Sequence, residues 1–194
     1  MSSKIKFAIV GCGRIGKRHA SMVNINVDTE LVALIDINKE IEKSLKEEFN
    51  VQVFQSIEDF IRSGIKADVV NICTPNFLHA SQAIIALQNG SHVVIEKPMA
   101  LSKVDAEEVI HESLKVNKRV FCVMQNRYSP PSRWLKEVVE SGVLGKVYMA
   151  NINCFWNRDD EYYQGGAASY WKGKLNKDGG TLFTQFSHFL DTMY

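Results

Sequence analysis

The fold is decided by one stretch near the start of the chain, residues 5–16, which reads Ile5-Lys6-Phe7-Ala8-Ile9-Val10-Gly11-Cys12-Gly13-Arg14-Ile15-Gly16. Its first six residues form an apolar run typical of a buried β-strand, and the rest is a GxGxxG string that opens a helix. Asp36 follows about 20 residues later, at the end of a second predicted strand. A strand, a glycine turn, a helix and an acid in this order predict a dinucleotide-binding βαβ unit, whereas a glycine turn alone would be weak evidence.

Each glycine of this turn has a separate physical role. Gly11 permits a tight turn, Gly13 lets the backbone approach a pyrophosphate, and Gly16 lets the helix pack closely on the strand. The contacts to a dinucleotide are therefore predicted to begin with Gly11, Gly13, Arg14, Ile15 and Gly16.

Asp36 is the predicted ligand of the adenosine ribose hydroxyls. Its negative charge would repel a 2′-phosphate, so the sequence favours NAD over NADP. The alternative is an acid at a strand end that simply faces solvent.

Strand-like and helix-like hydrophobic periods alternate along the first part of the chain, which indicates a parallel sheet covered by helices. Two Ser-x-x-Asp sequences, at Ser56 and Ser102, are predicted to begin helices. The fold class is therefore α/β, with an N-terminal Rossmann domain, a doubly wound parallel sheet, at residues 1–124. Its six predicted strands are Ile5–Val10, Glu30–Ile37, Val51–Phe54, Ala67–Cys73, His92–Ile95 and Arg119–Met124.

Residues 125–194 follow a different pattern and are predicted to be the start of a C-terminal α/β domain. A helix from Pro130 turns Trp134, Leu135, Val138 and Val139 inward, and a strand follows at residues 147–156, with Phe155 also in the core. The stretch 157–178 is polar, aromatic and without period, which is typical of a functional loop. A final helix from Gly180 has an apolar side with Leu182 and Leu190. One helix, one strand and part of another helix cannot cover a sheet, so we expect the domain to be incomplete.

Composition excludes several classes of protein. The 23 Lys and Arg residues nearly balance the 22 Asp and Glu residues, which gives no basis for a nucleic-acid or membrane partner. The longest early apolar run is too short for a signal peptide or a membrane span, so we expect a cytoplasmic protein. The four cysteines have no CxxC spacing, and no metal site is predicted.

Two tripeptides, Thr74-Pro75-Asn76 and Glu96-Lys97-Pro98, follow the fourth and fifth predicted strands. The carboxyl ends of parallel strands border the ligand crevice of such a sheet, so both lie where a nicotinamide is expected. Taken alone, Lys97 would more often be a solvated lysine at a strand end.

The glycine turn, Thr74-Pro75-Asn76-Phe77-Leu78-His79, Glu96-Lys97-Pro98 and the arginine after the sixth strand together resemble the Gfo/Idh/MocA family of dehydrogenases. This resemblance covers the whole chain. It implies that Lys97 is a catalytic or substrate-orienting lysine, that Glu96 lies near the nicotinamide ribose, and that His188 transfers a proton. It also implies a homo-oligomer of the whole protein. Further cofactor contacts are expected from Thr74, Pro75, Asn76, His79, Glu96, Lys97 and Gln125.

One position departs from the common family pattern, because Thr184 stands where an aspartate usually precedes the histidine by four residues. The surrounding sequence is more similar to a subgroup that oxidises UDP-N-acetylglucosaminuronic acid at C3, which implies a nucleotide-sugar substrate and polysaccharide biosynthesis. The motifs that carry this similarity are Gln125-Asn126-Arg127-Tyr128, Trp171-x-Gly173, Asp178-Gly179-Gly180 and Gln185-x-x-His188.

Oxidation of a secondary alcohol needs a base for the hydroxyl proton while a hydride leaves carbon for the nicotinamide. His188 can titrate near neutral pH, and Lys97 can lose its proton beside a cationic nicotinamide, so either can be the base. Cationic and aromatic side chains suit a carboxylate, a diphosphate and a sugar or uracil face, although packing at a subunit interface would suit them equally. The predicted substrate contacts are Lys97, Arg127, Tyr128, Arg158, Tyr163, Trp171, Thr184 and His188.

Two other functions remain open from the sequence. One is a dehydrogenase of a free sugar or cyclitol, or a glycosidase-type relative that oxidises C3 transiently. The other is an NAD(H)-binding sensor without turnover, which the threonine at position 184 favours and the presence of Lys97 and His188 disfavours.

Overall fold

The computed structural model describes residues 3–166 and 169–193. Ala167 and Ala168, within the predicted irregular stretch, lie outside the described residues. The chain divides into two compact units, Met1–Val123 and Met124–Tyr194.

The first unit alternates strands with helices from its first strand to its last. Short 3₁₀ segments at Lys39–Ile41 and Asn76–Leu78 lead into α2 and α4. Its elements are β1 (Ile5–Val10), α1 (Arg14–Ile25), β2 (Thr29–Ile35), α2 (Glu42–Phe49), β3 (Gln52–Phe54), α3 (Ile57–Arg62), β4 (Val69–Ile72), α4 (His79–Gln88), β5 (His92–Ile95), α5 (Lys103–Lys115) and β6 (Val120–Cys122).

The strands of the first unit form a six-stranded sheet in the order β3-β2-β1-β4-β5-β6. Every neighbouring pair is parallel. The order reverses direction between β1 and β4, and such a switch point is where open α/β sheets bind their ligands. The predicted doubly wound parallel sheet is therefore confirmed.

Local sequence explains where the helices of this sheet begin. Ser56 Oγ accepts a hydrogen bond of 3.1 Å from the Asp59 N–H, and Ser102 Oγ accepts one of 3.0 Å from the Asp105 N–H. These serine caps satisfy donors that the first turn of a helix would otherwise leave unpaired, and both were predicted from Ser-x-x-Asp. Apolar side chains of the strands and helices form the core, with Ala8, Val10, Ile72, Val93 and Ile95 at its centre.

The second unit contains helices joined by long irregular segments. A 3₁₀ segment, Gln125–Tyr128, precedes α6, whose first residue is Pro130 and whose cap is Ser129. The helices of this unit are α6 (Pro130–Glu140), α7 (Asp160–Gln164), α8 (Leu175–Asp178), α9 (Thr181–Thr184) and α10 (Ser187–Met193).

The predicted strand at residues 147–156 is wrong. This segment has no regular structure, and Phe155, predicted to be buried, is 91% exposed. A strand needs a neighbour that exchanges backbone hydrogen bonds with it, and the described residues of the second unit contain no other strand. The predicted inward side of α6 is wrong for a related reason: Trp134, Leu135 and Val139 are all exposed, because none of the residues described in this unit covers them.

The predicted final helix is also corrected, because it forms two short helices. The Phe186 N–H donates to the Thr181 carbonyl, five residues earlier, and the Phe189 N–H donates to Phe186, three residues earlier, so the regular spacing is lost between α9 and α10. The buried side is the polar one: Thr184 and His188 are 3% and 4% exposed, whereas the apolar Leu182 and Leu190 are exposed.

Candidate functional site

The glycine turn between β1 and α1 has the close packing that its glycines allow. Gly11 has a φ of +86°, and a Cβ added there would lie 2.7 Å from the Cys73 carbonyl oxygen. A Cβ at Gly16 would lie 1.8 Å from the Gly11 carbonyl oxygen. Any larger residue at position 16 would therefore force the helix away from the turn.

The N-terminus of α1 fits a pyrophosphate. A Cβ added at Gly13, the cap residue, would meet nothing within 4 Å, so the backbone there is open to a ligand. The helix has neither a side-chain cap nor an acidic residue in its first turn, which leaves its first N–H groups and positive dipole end for an anion. Arg14 and Ile15 are both on the exposed side of this turn.

Asp36, directly after β2, is held next to the glycine turn by backbone donors. Its Oδ2 accepts a 2.7 Å hydrogen bond from the Cys12 N–H, and its Oδ1 accepts one of 2.8 Å from the Asn38 N–H. The carboxylate is half-buried at the carboxyl end of the sheet, which is the position for a ribose-binding acid.

His79 connects the two predicted cofactor loops that follow β4 and β5. Its Nε2 lies 2.8 Å from the Thr74 carbonyl oxygen and its Nδ1 lies 2.7 Å from the Pro98 carbonyl oxygen. The side chain is only 1% exposed. Burial lowers the pKa of His79, while the Pro98 and Thr74 carbonyls act in the opposite direction. A buried imidazole in contact with both loops holds their backbones next to each other.

The other predicted residues of these loops surround His79 in sequence and differ in exposure. Thr74 donates its hydroxyl to Gln82 Oε1 at 2.7 Å, and Asn76 is buried. Pro75, Glu96 and Lys97 are half-buried. Lys97 therefore stands at the carboxyl end of β5, partly shielded from water.

In the second unit, Gln125 and His188 meet. The side-chain nitrogen of Gln125 lies 3.3 Å from His188 Nε2. Because an amide nitrogen only donates, Nε2 of His188 accepts and its proton sits on Nδ1 when the ring is neutral. Thr184, four residues before His188, donates its hydroxyl to the Gly180 carbonyl at 3.0 Å. In this arrangement the single lone pair of His188 Nε2 is occupied by the Gln125 N–H.

Arg127 and Asp191 form an ion pair between the 3₁₀ segment and α10. Nε of Arg127 donates to one carboxylate oxygen of Asp191 at 2.7 Å, and Nη2 donates to the other. The Asp191 side chain is 10% exposed and that of Arg127 58%. Arg127 was predicted to contact substrate, and here its guanidinium fixes α10, which carries His188. Tyr128 is exposed, with the Arg133 guanidinium 5.8 Å from its ring centre.

Arg158 lies at the centre of an aromatic and cationic cluster. Its guanidinium carbon is 5.0 Å from the ring centre of Trp156 and 4.6 Å from that of Tyr162, while Lys172 Nζ lies 4.3 Å from the Tyr162 ring centre. Gln185 accepts a 3.3 Å hydrogen bond from Arg158 and donates at 2.9 Å to the Tyr162 hydroxyl. Two cations are thus held over one aromatic ring.

Two further predicted substrate residues lie on the segments next to this cluster. Tyr163 packs its ring edge-to-face on Tyr162, with 5.0 Å between centres, and Trp171 is half-buried immediately before Lys172. Sequence reasoning missed the role of Tyr162 and of Gln185 as a bridge, although Gln185 lies in a quoted motif. No sequence spacing signals a contact across 23 residues.

The predicted site residues therefore form two groups. The glycine turn, Asp36, the two loops and Lys97 belong to the first unit. Gln125, Arg127, the Arg158 cluster and His188 belong to the second. In the described part of the chain, no helix is long and apolar enough to cross a membrane.

This fold and glycine turn define an NAD-binding Rossmann protein, and comparison with known proteins identifies the family. Residues 5–124 match the Gfo/Idh/MocA oxidoreductase family with its NAD-binding Rossmann fold. Residues 132–194 match the Gfo/Idh/MocA C-terminal domain. The chain belongs to the Gfo/Idh/MocA family of oxidoreductases, and the predicted family, fold class and NAD cofactor are confirmed.

Two solved structures resemble nearly the whole chain. The WlbA dehydrogenase of Bordetella pertussis, in complex with NADH and UDP-GlcNAcA, is 37% identical with a TM-score of 0.91, over 98% of this chain and 58% of that one. The WlbA dehydrogenase of Chromobacterium violaceum, with the same two ligands, is 35% identical with a TM-score of 0.91, over 98% of this chain and 55% of that one.

Two relatives with curated names act, by those names, on a glucoside and a cyclitol, and neither name mentions a nucleotide. D-Glucoside 3-dehydrogenase of Escherichia coli is 33% identical over 150 residues, which is 76% of this chain and 42% of that protein. Myo-inositol 2-dehydrogenase of Thermotoga maritima is 27% identical over 148 residues, 76% of this chain and 44% of that protein. The chain thus spans less than half the length of these relatives.

Proposed function

We propose that this protein is an NAD-dependent dehydrogenase that oxidises a secondary hydroxyl, at C3, of a nucleotide-linked sugar such as UDP-N-acetylglucosaminuronic acid. One observation carries the proposal: the WlbA structures with UDP-GlcNAcA match 98% of the chain at a TM-score of 0.91. A myo-inositol 2-dehydrogenase structure from Lactobacillus plantarum matches 75% at 0.69. The WlbA structures match nearly the whole chain, whereas the inositol dehydrogenase structure matches three quarters of it, which favours the nucleotide-sugar substrate.

The second unit supports an anionic substrate. Arg158 and Lys172 place two cationic groups over the Tyr162 ring, and Gln185 fixes the guanidinium. Guanidinium and ammonium groups bind carboxylates and phosphates, and an aromatic face packs on a sugar or a base. A free sugar or cyclitol has no charge for these groups to neutralise.

NAD, when bound, supplies the C4 position that accepts the hydride. The protein binds and orients the cofactor through the glycine turn and Asp36, and it removes the hydroxyl proton. His188 is the first candidate base: its Nε2 accepts from the Gln125 amide, which has to release that lone pair before Nε2 can take the hydroxyl proton. Lys97, half-buried after β5, is the second candidate base, and either group satisfies the chemistry.

Mass spectrometry of the sugar tests the reaction. NAD-loaded protein incubated with UDP-N-acetylglucosaminuronic acid is expected to yield a product lighter by two hydrogens. Lys97→Met is expected to abolish this product, while Lys103→Met, the same change at an exposed position of α5, preserves it. An unchanged substrate with clear NAD binding would refute the proposed substrate.

A dehydrogenase of an uncharged sugar or cyclitol is the second candidate, and the names of the Escherichia coli and Thermotoga maritima relatives favour it. Methyl glucoside and myo-inositol in the same assay distinguish the two. If neither class of substrate reduces the bound NAD, the NAD(H)-sensor alternative replaces both.

Cytoplasmic location and homo-oligomeric assembly of the whole protein complete the proposal. No disulfide joins Cys12, Cys73, Cys122 and Cys154, all of which lie in the described part of the chain. Light scattering coupled to size-exclusion chromatography tests the assembly, and a monomeric mass would contradict it.

A further inference from the structure

Three polar side chains from separate elements form a chain of contacts in the first unit. Nδ2 of Asn71, on β4, lies 3.0 Å from Nδ1 of His19, on α1. Nε2 of His19 lies 3.0 Å from Oε1 of Glu96, which follows β5. The side chains of His19 and Glu96 are each 18% exposed, and Asn71 is 5% exposed. His19 therefore bridges the sheet interior to the residue before Lys97.

The donors in this chain have a defined direction. The Asn71 nitrogen can only donate, so Nδ1 of His19 accepts. A neutral imidazole then carries its single ring hydrogen on Nε2, where it points at the Glu96 carboxylate. The hydrogen-bond partner of one ring nitrogen thus determines whether the other nitrogen carries a hydrogen.

Asn71 is a polar residue in an otherwise apolar strand. Its neighbours Val70 and Ile72 are buried in the core, and in the sheet it is in register with Ile9 of β1 and Val94 of β5. A buried amide is unfavourable there unless it is hydrogen-bonded, and its Oδ1 has no partner among the described residues. Among the described residues, the Asn71 side chain is hydrogen-bonded to His19, and this contact is the physical reason for a polar residue at this position.

The Glu96 carboxylate is largely shielded from water, so it needs a hydrogen-bond donor from the protein. Its charge reaches two buried side chains, because it raises the pKa of Cys73, after burial itself, and also acts to raise that of His79. A carboxylate that is largely shielded from water is held in one orientation only when a donor meets it. The Nε2–H of His19 is that donor.

We propose that His19 is a positioning residue for NAD binding: it orients the Glu96 carboxylate, by its Nε2–H, towards the hydroxyls of the nicotinamide ribose. This inference rests on the proposed function and on the expectation, implied by the family resemblance, that Glu96 lies near that ribose. Under this proposal α1 contributes to cofactor binding at two places. Its N-terminus faces the pyrophosphate, and its His19 orients Glu96 at the nicotinamide ribose.

NAD affinity, measured by calorimetric titration of the 194-residue chain, gives the first test. Glu96→Gln and His19→Leu are each expected to weaken NAD binding about tenfold or more. His19→Gln is expected to restore affinity to within about threefold, because its amide can accept from Asn71 and donate to Glu96. His111→Leu, the same change at an exposed position of α5, leaves affinity unchanged. Thermal unfolding of each variant shows that it is folded.

The results separate the inference from the proposed function. If Glu96→Gln binds NAD like the wild type, the proposed place of Glu96 at the ribose is wrong. If Glu96→Gln binds weakly but His19→Leu does not, His19 does not position Glu96. If His19→Leu and His19→Gln are equally weak, His19 only supports the packing of α1.

The ring nitrogens of His19 give a readout that needs no cofactor. Nitrogen NMR of the ¹⁵N-labelled chain, assigned with His19→Gln, is expected to show hydrogen on Nε2 of His19. A neutral ring with its hydrogen on Nδ1 would place a lone pair against the carboxylate and would overturn the inference.

Discussion

Nε2 of His188 lies 3.3 Å from the side-chain nitrogen of Gln125, although 63 residues separate the two in sequence. Gln125 belongs to the short 3₁₀ segment at the start of the second unit, and His188 belongs to α10. The Arg127–Asp191 ion pair joins the same two elements. These two contacts fix the orientation of His188, which is 4% exposed. Under the proposed function this histidine transfers the hydroxyl proton.

Replacing His188 by asparagine tests this role. We expect His188→Asn to reduce the rate of sugar oxidation at least about 100-fold, because the proton acceptor is lost, while NAD affinity changes little. Rate is followed by mass spectrometry of the product and affinity by calorimetry. His111→Asn, at an exposed position, serves as the control. Turnover at the wild-type rate in His188→Asn would leave Lys97 as the base.

Gly16 and Gly13 are expected to respond differently to alanine. At Gly16 a Cβ would lie 1.8 Å from a backbone oxygen, so Gly16→Ala should lower the free energy of unfolding by about 2 kcal/mol or more. At Gly13 a Cβ meets nothing within 4 Å, so Gly13→Ala should keep its stability and lose NAD affinity, since the methyl group stands where the pyrophosphate approaches. Urea unfolding and NAD titration measure both. Equal loss of stability in the two variants would contradict the assigned roles.

Asp36 should control the choice between NAD and NADP. Removing its charge in Asp36→Ser is expected to lower the ratio of NAD affinity to NADP affinity at least about tenfold, because a 2′-phosphate is no longer repelled. Asp28→Ser, at the exposed turn before β2, is the matched control. Calorimetric titration with each cofactor gives the ratio, and an unchanged ratio in Asp36→Ser would show that its carboxylate does not face the ribose.

Short-range physics explains which features of the first unit are predictable. The serine caps at Ser56 and Ser102 and the glycine turn each depend on residues within a few positions, so the sequence shows them directly. The Asn71–His19 contact joins residues 52 apart. Its only trace in the sequence is a polar residue inside an apolar strand, which shows that a partner is needed but not which one.

In the second unit, apolar periodicity predicts the helices but not what buries their side chains. Apolar periodicity predicts that some surface will cover a side chain, and it correctly finds the helix at Pro130–Glu140. Periodicity does not show which residues would cover the apolar side of α6, and Trp134 on that side is 64% exposed. In the final helix the pattern is overridden, because Thr184 and His188 are buried by hydrogen-bonding neighbours such as Gln125 and Gly180. Sequence alone therefore identifies His188 as a candidate residue but does not predict its contact with Gln125.

His79 should make the stability of the first unit depend on pH. Burial is the largest cause of its lowered pKa, so the folded protein binds the proton less well than the unfolded chain, whose histidine titrates at its ordinary value of 6.5. Below that value the unfolded state takes up the extra proton, and the free energy of unfolding falls as the pH is lowered. The stabilisation is fully present above pH 6.5 and is lost towards the lower pKa of the folded state.

The measurement is urea unfolding of the wild type and His79→Gln at pH 7.5 and 5.5, with His111→Gln as the exposed control. Carboxylates titrate in both proteins, so the difference in pH dependence between wild type and variant isolates His79. We expect His79→Gln to lose less stability than the wild type over this range, and the control to follow the wild type. Parallel losses in all three proteins would show that folding does not lower the pKa of His79.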